Sequence, residues 1–222
     1  KVRAERRFSN RLALISSYTW GHVIDDRPGE GLASQGGFTG FQDNTNARAD
    51  RADADFDVRH RYTMSFVYQL PDTNYDGLAG HLLNGWNMNS ILTLQAGRPF
   101  TIHLPNSSIR PDVVPGVDPV ASNQGPDNWI NAAAFTAPAG KFGTLGRNTA
   151  RGPALKNPDF SVVKDFQIND DRKLQFRTEI FNLTNTANFG LPNQEFGTGV
   201  FGVISSTVTS ERQIQFGLRY EF

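Results

Sequence analysis

The chain has 222 residues, with 22 Lys and Arg against 22 Asp and Glu, so its formal net charge is zero. That balance excludes the charged surface that gathers nucleic acid, and the absence of cysteine excludes disulfides, thiolate metal sites and thiol nucleophiles. Hydrophobic residues are 38% and aromatics 11%, with 17 Phe, a polar but ring-rich balance unlike that of a soluble core built on Leu, Ile and Val.

The opening "KVRAERRFSN" is charged and has no leader pattern, and it reads as the start of a piece of a longer chain. No stretch approaches 18 apolar residues, so no transmembrane helix is expected. What recurs is a two-residue alternation, the mark of half-buried strands. The first predicted strand covers about 6–20. Phe8, Leu12, Leu14, Tyr18 and Trp20 fall on one face, interrupted by Asn10 and Ser16, with Arg7, Ser9, Arg11, Ser17 and Thr19 on the other. The second, about 57–70, sets Tyr62, Met64, Phe66, Tyr68 and Leu70 against Arg61, Thr63, Ser65, Val67 and Gln69. The third, about 85–98, sets Trp86, Met88, Leu92, Leu94 and Ala96 against Asn87, Asn89, Thr93 and Gln95.

The fourth, about 158–168, places Phe160, Val162, Phe166 and Ile168 together, but also Lys164. Either a bulge shifts the phase there or the lysine snorkels to an interface. After the turn "NDDR", the fifth strand, about 173–183, opposes Leu174, Phe176 and Ile180 to Lys173, Gln175, Arg177 and Glu179. The sixth, about 211–222, keeps Ile214, Phe216, Leu218, Tyr220 and Phe222 in register to the last residue.

Connections alternate in length: long over 21–56, 101–156 and 184–210, short over 71–84 and at the turn. Tilted strands of this length cross a bilayer, and short turns on one side with long loops on the other are how outer-membrane barrels are connected. In such a barrel the apolar face meets lipid and the polar face lines an aqueous lumen. Rings near strand ends (Tyr18, Trp20, Tyr62, Trp86, Tyr220, Phe222) fit interfacial girdles. Charges within strands fit a lumen, and Arg61, Gln95, Arg177, Glu179 and Arg219 are the lumen-facing candidates.

The stretches "ADFDVRHRYTMSFVYQLP", "GWNMNSILTLQAGRPFTI", "NPDFSVVKDFQI", "LQFRTEIFNLTNTANFGLPN" and "FGVISSTVTSERQIQFGLRYEF" together resemble the C-terminal barrel part of a TonB-dependent outer-membrane receptor, most nearly the Oar-like, Acidobacteria-type group. The resemblance runs from residue 6 onward, and in loops 21–50 and 101–150 it is one of style alone. It implies an all-β antiparallel meander of about six long transmembrane strands, the C-terminal portion of a 22-stranded barrel closed by a plug. It also implies that Ile214, Phe216, Leu218, Tyr220 and Phe222 form the strand read by the barrel-assembly machinery, and that TonB engages a region upstream of Lys1.

No catalytic constellation stands out, so the chain is not expected to be an enzyme or to hold a cofactor. The histidines 22, 60, 81 and 103 have no metal-site spacing, and no serine sits in a nucleophile elbow. Asp43, Asp50, Asp53, Asp55 and Asp57 cluster in "DNTNARADRADADFD". Loop carboxylates suit calcium, but interleaved arginines and the wrong spacing favour a solvated external loop. Trp129, Phe135 and Phe142 in the longest loop are candidates to stack on a flat ligand, against self-packing of the loop. The role that the resemblance implies is energised uptake of a scarce solute across the outer membrane. The alternatives are a non-transport adhesion or surface-display barrel and a soluble carbohydrate-binding β-sandwich.

Overall fold

The alternating segments pair into one antiparallel sheet in the computed structural model, which describes residues 1–9, 11–27, 40–169 and 171–222, the side chains of 7–9 excepted. Among the described residues the sheet has seven strands in sequence order: β1 Val2–Ser9, β2 Leu12–Trp20, β3 His60–Gln69, β4 Trp86–Gln95, β5 Leu155–Asn169, β6 Arg172–Phe181 and β7 Gln213–Glu221. β1 and β7 are its edges. The segment expected as one strand over 6–20 is therefore two strands, and the expected six become seven. Asn10 and Asp170, at the two tight turns, lie outside the described residues, as does the side chain of Phe8.

The cause of that difference is geometric. Arg6 pairs with Leu14 but Ser9 with Leu12, a one-residue register shift just before the turn. The shift cancels the phase change that the turn would impose, because the side-chain period of a strand is two. Even-numbered residues thus stay on one face through the hairpin, and the alternation reads as continuous. The same shift occurs between Gln167 and Asn169, before the turn into β6.

Register then carries the apolar set from β2 to β7, whereas on β1 Arg6 stands opposite Leu14. Leu14 lies opposite Phe66, Phe66 opposite Ser90, and Ser90 opposite Phe160. Phe160 faces Ile180, which faces Ile214. Val162, Thr178 and Phe216 make the next row, and Lys164, Phe176 and Leu218 the one after. No second sheet packs on this face among the described residues. Phe216 is 67% exposed, and its ring stacks on Phe176 at 6.1 Å. A soluble sandwich would hide these residues between two layers, so that alternative is corrected.

Lys164 is in phase. It pairs with Trp86 on one side and Phe176 on the other, with no bulge. Its Nζ donates to the carbonyl oxygens of Asn84 and Asp165 and passes over the rings of Trp86 and Phe166. The apolar stem follows the sheet while the ammonium reaches backbone acceptors at the sheet's end, which is snorkelling.

The short connections cluster at one end of the sheet. The longest of them carries a helix, α1 (Gly77–Leu83). The three long connections gather at the other end, where they pack together. Small two-stranded pairs join 99–100 to 150–151, 112–113 to 135–136 and 120–125 to 128–130. The buried hydrophobic cluster of the described residues lies here, in Phe100, Ile102, Ile130, Ala134, Phe135 and Leu145, not on the sheet.

Candidate functional site

The cap formed by the long connections is held by two kinds of packing. One is apolar. Phe135 meets Phe196 at 6.0 Å and Phe201 at 6.1 Å, both edge-on, and Phe196 meets Phe201 at 5.4 Å. Edge-to-face pairs of this spacing stabilise beyond their buried area. This contact ties the connection between β4 and β5 to the one between β6 and β7.

The other is ionic. Asp50 and Asp57 are fully buried, which corrects the expectation of a solvated acidic loop. Arg110 pairs with Asp50, and its Nε donates to Leu145 O at 2.7 Å. Arg147 pairs with Asp25 and, at 3.3 Å, with Asp55. Arg151 bonds Asp53 and, at 2.8 Å, Asp57. Arg59 closes the ring, its Nε 2.9 Å from Asp57 and its Nη2 2.9 Å from Asp53. Val23 N also donates to Asp57 at 2.8 Å. The acids come from the connection after β2 and most of their partners from the connection after β4, so the lattice stitches two loops together.

Burial pushes the Asp53 and Asp57 carboxyls up, but opposing contacts win. For Asp53 these are hydrogen bonds from Arg59 and His22 and the charges of Arg59 and Arg151. For Asp57 they are bonds from Arg151, Val23 N and Arg59, with the charge of Arg151. Both stay below the usual carboxylate range. The lattice binds guanidinium where a calcium site would bind metal. Among the described residues no group of three or more acidic, His or Cys side chains is placed to hold an ion.

A cleft of about 450 Å³ lies at the α1 end, and one of about 420 Å³ opens in the cap. The cap cleft is lined by Phe100, Ile102, Val120, Trp129, Phe135 and Leu145, with Gln124, Thr149 and Arg151 among its polar members. Its size and apolar lining with few polar groups are those of a small-molecule site. Trp129 is fixed by its indole N–H, which donates to Arg151 O at 2.9 Å. Arg151 is already shared between two carboxylates, and among the described residues it is the one cation of the lining.

The three loop aromatics divide. Trp129 and Phe135 line the cleft, and Phe135 is also core. Phe142 is half exposed and lies outside the lining. The lumen candidates share the polar face but not one place. Arg61 and Gln95 stand directly opposite each other on β3 and β4. Arg177 and Glu179 sit two apart on β6, 3.5 Å between charges, and Arg219 on β7 faces Gln175. Ile214, Phe216, Leu218 and Tyr220 line up on the apolar face of β7. Phe222 follows the strand, its ring stacked on Tyr220 at 5.9 Å. Sequence reasoning missed Arg59, Arg110, Arg147 and Arg151. Their only advance signal was that acids and arginines are both abundant in loops that a solvated reading leaves without a reason for either.

A family model described as "Outer membrane beta barrel domain" matches residues 1–215. No curated protein and no solved structure matches the chain.

Proposed function

The chain belongs to the outer membrane β-barrel domain family, and on that premise we propose that it supplies wall strands and the outer loop cap of a TonB-dependent receptor that takes up a scarce solute. The family places the chain in the outer membrane of a Gram-negative bacterium. Its long connections then face outward and its short ones the periplasm. The observation that carries the uptake reading is the cap. Long connections of a general pore need no core of their own, whereas these fold around a cleft of about 420 Å³. Among the described residues, seven strands with two open edges fall short of the eight of the smallest single-chain barrels. In this reading further strands complete the wall, as in the 22-stranded receptors that the sequence resembles.

β7 is the strand offered to the barrel-assembly machinery. It presents an unpaired edge, and such edges recruit partners by strand addition. The cap and polar face contact the solute, and TonB supplies energy through a region of the receptor other than these strands.

The test is solute depletion from a defined mixture by the native bacterium, by a strain lacking the full-length receptor gene and by a strain lacking TonB. The reading expects one solute to be consumed by the parent and spared equally by both deletions. Loss in the receptor deletion alone refutes energised uptake. A receptor deletion that spares no solute favours the adhesion barrel.

A further inference from the structure

We propose that α1 is an interfacial helix seated in the periplasmic leaflet of the outer membrane, with Leu78 and Leu82 in lipid. The inference rests on the lipid-facing assignment of the apolar sheet face and extends that surface beyond the strands. α1 spans seven residues, too few to persist in water without tertiary support. Leu78 is 84% exposed and Leu82 62%, and residues four apart on a helix share a face. The opposite side meets protein: Gly80 is buried, and a Cβ there would lie 2.2 Å from Tyr75 O. The helix therefore turns its glycine inward and its leucines out.

Two tethers fix which side of the sheet receives it. The Trp86 indole N–H donates to Leu82 O at 2.9 Å, and Lys164 Nζ donates to Asn84 O. Trp86 and Lys164 are a cross-strand pair on the apolar face. Neither leucine lines the cleft of about 450 Å³, whose polar members include Asp72, Asp76, His81, Asp165 and the Lys164 that tethers the helix. Leucines on one side and a carboxylate-lined cleft on the other are the amphipathic arrangement of a helix lying in a membrane interface. α1 has no Lys or Arg, so the attraction is to acyl chains and not to anionic headgroups. A Trp at the same level is the residue that interfaces favour.

The chain has no cysteine, which suits site-directed spin labelling. The full-length protein is placed in phospholipid nanodiscs with single labels at Leu78→Cys, Leu82→Cys, Asp76→Cys and Phe176→Cys. Collision rates with oxygen and with a water-soluble nickel chelate are compared. The proposal expects oxygen to exceed the chelate at 78 and 82, as at 176 on the sheet, with the reverse at 76. Preferential access of the chelate at 78 and 82 overturns it. So does shielding from both reagents, which would mean a protein partner. Failure at 78 and 82 alone removes the helix from the lipid. Failure at 176 as well removes the sheet's orientation together with it.

Discussion

Lys164 and Trp86 face each other across neighbouring strands, and the lysine Nζ lies 5.7 Å from the centre of the indole ring. The same Nζ is 4.5 Å from the centre of Phe166 and only 2% of the residue is exposed. One ammonium thus joins two rings of the sheet to the backbone that ends α1. Lys164→Met keeps the stem and removes these contacts. The expected cost is about 1–3 kcal/mol, the scale of a lost charged hydrogen bond. Urea unfolding of the receptor in lipid vesicles checks it, and unchanged stability would contradict the assigned role.

Asp50 and Arg110 form the deepest pair of the cap, with side chains 0% and 4% exposed. Removing one partner leaves a charge buried without compensation, which costs about 3–5 kcal/mol. Arg110→Leu is expected to open the cap to trypsin on intact cells while β1–β7 stay assembled. The double variant Asp50→Leu with Arg110→Leu restores most of the protection, since paired apolar replacements remove both charges. Equal sensitivity of single and double variants would contradict this account.

The cap also has a defined response to acid. Asp53 and Asp57 are held below the usual carboxylate range, so their unfolded values are the higher ones. Their stabilisation is therefore present above the unfolded value of about 3.9 and is lost as pH falls through the folded values. Protease protection of the cap is expected to be flat from neutral pH to about 5 and to fall below about 4. Arg151→Gln raises the pH at which it falls. Loss of protection already near pH 6 would contradict this assignment.

Val120 lines the cap cleft and is half exposed, so a larger side chain there enters the cleft without displacing buried core. Val120→Trp is expected to reduce uptake of the receptor's solute at least tenfold with unchanged surface abundance. Phe142→Trp, outside the lining, leaves uptake as it was. Full activity of the Val120 variant would show that the cleft is not the solute's site.

The membrane strands were legible because each residue's face follows from its parity, and lipid on one side enforces it over many residues. The hairpin between β1 and β2 was not legible, because its register shift between Arg6 and Ser9 restores the parity that a turn would otherwise break. The cap was legible only as length and polarity. Its lattice joins Asp50 to Arg110 and Asp57 to Arg151 across wide sequence separation, and no local spacing records which acid meets which arginine. Trp129 and Phe135 were visible as rings, but their share in a cleft depends on the folding of three connections at once.

From β2 to β7, even-numbered side chains meet lipid and odd-numbered ones meet water. Single cysteines at positions 173 to 180 of β6, reacted with a small membrane-impermeant maleimide in the native outer membrane, test it most directly. Labelling is expected at 173, 175, 177 and 179 and protection at 174, 176, 178 and 180. Uniform labelling, or the opposite alternation, would contradict it.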